Sequence, residues 1–397
     1  MAQKKLDDLF DNFLNKQSLF KNKRTLQDVY TPETVPHRED QIKQLASILV
    51  SALRGEKPSN VFVYGKTGTG KTLVSKYVAK ELETRSKREQ RKLKASYLNC
   101  KMEKVNTSYR LLAHFINELG EDVPATGLPT DQVYKKFLKT IDSEGGVHIL
   151  ILDEIESLTD SNILYDLTRI NTELENATIT IVGITNDLSF TDDLDSRIKS
   201  SLSEEELVFP PYNAIQLQDI LSQRANTALE NGCLESGTIE KCAALAALEH
   251  GDARRALDLL RVACELAERE SEDSVTIRHV ELAQKKLDID RIVEVVKTLP
   301  KQSQIVLNSI IYLKDLNKEE VATGDVFEVY KNFCKQLGNS PLTQRRVSDL
   351  ISELDMLGLI NATIISKGRY GRTRKIKLDM SEKALEDSKE ILKQELL

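Results

Sequence analysis

The sequence predicts a chain of the α/β-plus-α class: a parallel-sheet domain, then a helical domain, then a winged helix-turn-helix. Three observations predict it. Short apolar runs alternate with helical stretches through the first half. Every segment from 213 to 288 carries helical periodicity. From 301 onward the order reads helix, helix, helix and two strands. The boundaries drawn are 1–212 for the sheet domain with its N-terminal arm, 213–290 for the helical domain and 291–397 for the winged helix. At 397 residues the chain exceeds one typical core, so division into domains is expected.

The first half justifies its assignment strand by strand. Residues 1–30 read as a mildly basic helix, and a helix over 40–54 places Ile42, Leu45, Ile48 and Leu49 on one face. Apolar runs at 61–64, 96–99, 149–152, 179–182 and 207–209 read as strands buried on both sides. The helical domain reads as helices over 214–229, 237–249, 253–268 and 276–286. A connector helix follows over 288–300, and the tail, 381–397, is a further helix.

Composition narrows the class. With 40% apolar and 30% charged residues, the chain is of the ordinary globular kind. No apolar run reaches membrane-spanning length and the first 24 residues lack a signal-type apolar core, so a cytoplasmic protein is expected. The five cysteines show no C-x-x-C spacing and the five histidines are scattered, so plain thiols and no zinc ligand set are expected. Net charge is −6, yet the segment 341–377 carries +5. A basic end on an acidic body is the asymmetry of a polyanion-binding module.

One motif carries specific chemistry. Gly65-Lys66-Thr67-Gly68-Thr69-Gly70-Lys71-Thr72 fits G-x-x-x-x-G-K-[ST], with a strand before it and a helix bearing Leu73, Val74, Tyr77, Val78 and Leu82 after it. Glycines let backbone N–H groups curl around phosphate oxygens at a helix N-terminus. Lys71 would neutralise the β- and γ-phosphates of ATP, and the Thr72 hydroxyl would ligate Mg²⁺. The strand ending His148-Ile149-Leu150-Ile151-Leu152-Asp153-Glu154 delivers two carboxylates to the edge where such sheets bind ligands. Asp153 would hold Mg²⁺, and Glu154 would act as general base on the attacking water. Asn186 is either a sensor of the γ-phosphate or a turn asparagine. Arg197 is either an arginine finger for a neighbouring subunit or a surface residue. In Gly251-Asp252-Ala253-Arg254-Arg255, Asp252 is the N-cap candidate and Arg254 the residue to reach the γ-phosphate, with Arg255 left for surface pairing.

The C-terminal part reads as DNA-binding. A helix starting near Ser340 would bury Val347, Leu350, Ile351 and Leu354 and leave Thr343, Gln344, Arg345 and Ser348 outward near its N-terminus. Lys367-Gly368-Arg369-Tyr370-Gly371-Arg372-Thr373-Arg374-Lys375 forms a glycine-tipped basic hairpin suited to a minor groove. The alternative is a solvated charged hairpin in a protein-binding winged helix. The other basic run, 85–94, reads as a solvated loop.

Taken together, these stretches resemble the archaeal replication-initiator family of AAA+ ATPases, related to the largest origin-recognition subunit and the cell-division-cycle helicase loader. The matching stretches are Tyr30 through Glu39, the Gly65–Thr72 loop, Asp153-Glu154, Asn186, Asp195 through Leu202, Phe209-Pro210-Pro211-Tyr212, Gly251 through Arg261 and Gly371-Arg372-Thr373-Arg374. The resemblance implies an AAA+ P-loop parallel-sheet domain, a helical lid and a winged helix. It places Val35, Pro36, His37 and Arg38 near the adenine and Tyr212 among the nucleotide-binding positions. It also makes the insertion around Thr126, Gly127 and Leu128, which by itself reads as a loop, a second DNA contact. The implied function is an ATP-dependent, nucleoid-associated initiator that binds double-stranded origin DNA. It would recruit or load the replicative MCM helicase and act beside other initiator copies, with slow hydrolysis to ADP as a switch. Two rivals remain at this point: a DNA-translocating or clamp-loading motor, and a signalling ATPase whose winged helix binds protein.

Overall fold

The structure, a computed structural model, describes residues 18–27, 30, 32, 34–102, 105, 107–124, 126–158, 162–187, 190, 196, 199–200, 205–316, 321–366 and 372–396. It divides into two compact units, residues 1–280 and 281–397.

The first unit is built on a five-stranded parallel sheet. Its strands are β1 (Val61–Tyr64), β2 (Leu93–Asn99), β3 (Gly146–Asp153), β4 (Ala177–Thr185) and β5 (Glu205–Val208). The order is β2-β3-β4-β1-β5 and every pairing is parallel. Strands sealed on both faces can be apolar throughout, which is why β3 and β4 read as continuous hydrophobic runs. Alternate side chains serve two cores. Phe62, Leu150, Leu152, Ile179 and Ile181 face α3 (Ser108–Glu118), α4 (Thr130–Glu144) and α5 (Asn162–Arg169). Val61, Val63, Ile149, Ile151, Val182 and Ile184 face α1 (Glu39–Leu49) and α2 (Lys71–Arg88). The basic run 85–94 is not a loop. Arg85, Lys87 and Arg88 form the last turn of α2, where cations suit the helix dipole, and β2 already begins at Leu93.

The lid consists of α6 (Ala214–Ala228), α7 (Thr238–Leu248) and α8 (Ala253–Arg269). Its first helix starts with a full capping box, Asn213 and Gln216 each accepting the other's backbone N–H. Residues 18–27 of the N-terminal arm, assigned by sequence to the sheet domain, pack on the lid. Phe20 bridges to Leu229, Lys21 pairs with Glu230 (3.7 Å), Lys23 with Glu265 (2.9 Å), and Leu26 is fully buried. The last lid helix and the connector are one element, α9 (Ile277–Thr298), and the boundary between the units falls inside it. No Gly or Pro interrupts the segment, and Pro300 ends it.

The second unit has α10 (Lys301–Asp315), α11 (Thr323–Gln336) and α12 (Gln344–Met356), with a three-stranded antiparallel sheet. Its strands β6 (Val321–Ala322), β7 (Ile360–Ser366) and β8 (Arg372–Leu378) lie in the order β6-β8-β7. The tail helix, α13 (Glu382–Leu396), completes this unit's core by burying Leu385, Leu392 and Leu396 with Ile305, Val347 and Ile351. Among the described residues, no helix is long and apolar enough to cross a membrane.

Candidate nucleotide site and nucleic-acid interface

The loop 65–70 leaves β1, which lies between β4 and β5, and turns into α2 at the C-terminal edge of the sheet. Close approach requires glycine at three positions of the loop, including Gly65, where a Cβ would lie 2.4 Å from Phe209 O. Gly68 has φ +67°, and a Cβ there would lie 1.7 Å from Asp252 Oδ1. Gly70 has φ +89°, and a Cβ there would lie 2.9 Å from the Tyr212 hydroxyl. Helix α2 begins with no side-chain cap and no acidic residue in its first turn, so its N-terminal field is open to an anion.

Lys71 is 4% exposed. Its ammonium donates to Gly65 O (2.6 Å), Lys66 O (2.7 Å) and Asn186 Oδ1 (2.9 Å). Burial lowers its pKa to about 8, against the opposing pull of Asp153, with the nearby Arg254 lowering it further. The Thr72 hydroxyl donates to Asp153 Oδ2 (2.6 Å), as does the Tyr97 hydroxyl (2.8 Å), and Glu154 N–H donates to Oδ1 (3.0 Å). A hydroxyl and a carboxylate are the hard oxygen donors a Mg²⁺ ion takes, and a buried ammonium with neutral partners suits a polyphosphate, so the residues present fit Mg²⁺-nucleotide.

Glu154 sits in the left-handed region (φ 51°, ψ 48°), with Lys101 at 3.9 Å. A non-glycine residue held there stores strain of about 1 kcal/mol or more, a pattern common at working sites. Asn186 N–H donates to Glu156 Oε1 (3.3 Å), while Glu156 Oε2 is buried with no hydrogen-bond partner among the described residues. The sequence reading passed over Glu156, Tyr97 and the wider role of Asp252. Strand register, which spacing along the chain does not disclose, brings Tyr97 there: β2 pairs with β3 so that Tyr97 lies opposite Ile151, two residue pairs before Asn99 meets Asp153.

The lid closes on the loop. Asp252 caps α8 by accepting from Arg254 N–H (2.8 Å) and also receives the Thr67 hydroxyl (3.4 Å). Ala253 N–H donates to Gly68 O (3.2 Å), and Lys66 Nζ lies 3.3 Å from His250 Nδ1. Arg254 is exposed near Lys71, whereas Arg255 pairs with Glu249 (2.9 Å). Arg38, 2% exposed, is spent on carbonyls: Nε donates to Thr69 O (2.8 Å), Nη1 to His37 O (3.1 Å) and Nη2 to Pro210 O (2.5 Å). Its guanidinium stacks 3.7 Å from the Tyr212 ring centroid. It therefore ties the loop to the hinge of the lid. Of its neighbours, Val35 is buried in the sheet core and His37 reaches Asp219 of the lid at 3.0 Å. Arg197 lies outside the described residues.

The pH dependence of this site follows from Lys71. Phosphate oxygens would hold its ammonium charged, so the nucleotide-bound pKa lies above the free value of about 8. Below that value binding needs no extra proton; above it, binding takes one up. ATP affinity is expected to fall by up to about tenfold per pH unit as pH rises beyond that point. Calorimetry at alkaline pH in buffers of different ionisation heat checks this, and absence of proton uptake there refutes it.

In the second unit, Thr343 caps α12 by accepting from Arg346 N–H (3.4 Å), and Gln344, Arg345 and Arg346 are exposed on its first turn. Arg374 turns inward instead: it donates to Ser348 O (3.0 Å) and to the Ser352 hydroxyl, tying β8 to α12. Lys367, Arg369 and Tyr370 lie outside the described residues, as does the side chain of Arg372. In the first unit, Thr126, Gly127 and Leu128 are exposed between α3 and α4.

A phosphate-cradling loop, an acidic strand end and a capping helical lid define an AAA+ ATPase, and the second unit adds a winged helix. Comparison with known families agrees. Residues 54–189 match the AAA domain, 218–285 the Cdc6 AAA+ ATPase-type lid domain and 294–388 the CDC6 C-terminal winged helix domain. The ORC1-type DNA replication protein 1 of Archaeoglobus fulgidus is 54% identical over 379 residues, 95% of this chain and 92% of that one. Its namesake from Methanosarcina mazei is 55% identical over 94% and 91% of the two chains. The chain belongs to the ORC1-type DNA replication proteins. Among solved structures, the Aeropyrum pernix ORC1 protein in complex with DNA superposes with a TM-score of 0.83 at 44% identity, covering 96% of this chain and all of that one.

Proposed function

We propose that this chain is an origin-binding initiator whose grip on double-stranded DNA is set by ATP. The observation that carries the reading is the joining of a nucleotide cradle, closed by its lid, to a winged helix with Gln344, Arg345 and Arg346 exposed on its first turn. The similar Aeropyrum pernix protein, described in complex with DNA, supports the same use of the fold. The first turn of α12 would meet base edges and phosphates, Lys367, Arg369, Tyr370 and Arg372 would track a minor groove, and Thr126–Leu128 would add a contact from the sheet domain.

At the nucleotide site, Lys71 would neutralise the β- and γ-phosphates while the α2 N-terminus faces them. A Mg²⁺ ion, held by Thr72 and Asp153, would draw charge from the phosphates. Glu154 would take the proton of the attacking water, Asn186 would orient that water, and Arg254 would report the γ-phosphate to the lid. Arg197 would act on the site of a neighbouring copy on DNA. Slow hydrolysis to ADP would then serve as a switch, with the replicative MCM helicase as the partner recruited and the nucleoid as the place of action.

The test is binding to the organism's origin repeats against scrambled duplex over a salt series, with ATP and with ADP. Selective binding with a steep salt slope is expected. Weak, unselective binding in every nucleotide state would refute the reading and leave a motor or a signalling ATPase.

A further inference from the structure

Asp153 is held by more than the two residues that its motif names. The carboxylate is 5% exposed, and three donors fix it: Glu154 N–H on Oδ1, and the hydroxyls of Thr72 and Tyr97 on Oδ2. With both hydroxyl protons spent on Oδ2, the Thr72 oxygen keeps its lone pairs for a cation. Tyr97 is itself fixed. Lys76 Nζ lies 3.4 Å from its ring centroid, a close cation–π contact. Lys76 stands four residues after Thr72 on the same face of α2. The contacts therefore run in a closed circuit: Thr72 to Asp153 on β3, Asp153 to Tyr97 on β2, and Tyr97 to Lys76 back on α2.

We infer that Tyr97 is a positioning residue of the cation site, orienting Asp153 and through it the Thr72 hydroxyl toward Mg²⁺. This rests on the nucleotide-binding role proposed for the P-loop. Outer partners of metal ligands characteristically change affinity by about tenfold or more when removed, because a ligand free to rotate must be ordered at the moment of binding.

The test is a magnesium chloride titration of the full chain with a slowly hydrolysed fluorescent ATP analogue, for wild type and Tyr97→Phe. The substitution removes one oxygen and keeps the ring. The Mg²⁺ concentration at half-saturation is expected to rise about tenfold in Tyr97→Phe. Nucleotide affinity in EDTA is expected to stay at the wild-type value. In an Asp153→Asn background, Tyr97→Phe should add nothing further. An unchanged Mg²⁺ midpoint, or an equal loss of affinity with and without the ion, overturns the inference while leaving the nucleotide site standing. A wild-type protein whose nucleotide binding ignores Mg²⁺ overturns the cation site and Tyr97's role with it.

Discussion

Lys71→Ala is expected to weaken ATP binding by about 100- to 1,000-fold, the largest effect of any single change in the nucleotide site. The ammonium is buried, has no carboxylate at hydrogen-bond distance among the described residues, and is aimed by three neutral oxygens. A phosphate chain entering the loop would replace those oxygens with ionised ones. Hydrogen bonds between charged partners contribute about 1.5–3 kcal/mol each, so losing two accounts for the factor. The loss falls on polyphosphates and spares the adenine end, so AMP should discriminate poorly between wild type and variant. Equilibrium binding of ATP, ADP and AMP checks this. Equal weakening for all three would place the damage in the loop's folding.

The second large effect separates two arginines that sequence reading treated alike. Arg345 is exposed on the first turn of α12, whereas Arg374 is turned into its own unit, donating to Ser348 O and the Ser352 hydroxyl. Arg345→Ala is expected to weaken origin binding by about tenfold and to lower the salt slope by about one phosphate contact. Arg374→Ala is expected to cost about as much but to leave the slope unchanged, because it frees the wing strand from the helix without removing a charge from DNA. Titration over a range of salt distinguishes them. A reduced slope for Arg374→Ala would mean that its guanidinium leaves Ser348 for a phosphate in the complex.

What the sequence disclosed is what is local along the chain. The Gly65–Thr72 loop, the Asp153-Glu154 strand end and the Asp252 cap each lie within a few residues, so spacing alone exposes them. Contacts between remote segments leave no such trace. Arg38 reaches Pro210 and Tyr97 reaches Asp153 only because the sheet order β2-β3-β4-β1-β5 brings their strands and loops together. The run 85–94 misled because its charges suggest solvent, while Leu93, 8% exposed, already belongs to a buried strand. In α9 two helical signals are one helix, since Asp288 marks no break without a glycine or proline beside it. Arm residues 18–27 lie on the lid because their partners, Leu229, Glu265 and Glu268, are over two hundred positions away.

The meeting of Asp252 with Gly68 bears on time rather than affinity. The lid touches the loop through its own helix cap, so the carboxylate that begins α8 is the same one that rests on the cradle. To let a bound diphosphate escape, the protein would have to break the Ala253–Gly68 and Thr67–Asp252 contacts together. Departure would then be paced by the opening of the chain itself. On the proposed function such a molecule would keep a record: once the γ-phosphate had gone, the spent nucleotide would stay inside for as long as the clasp held, and the protein would carry the memory of having fired.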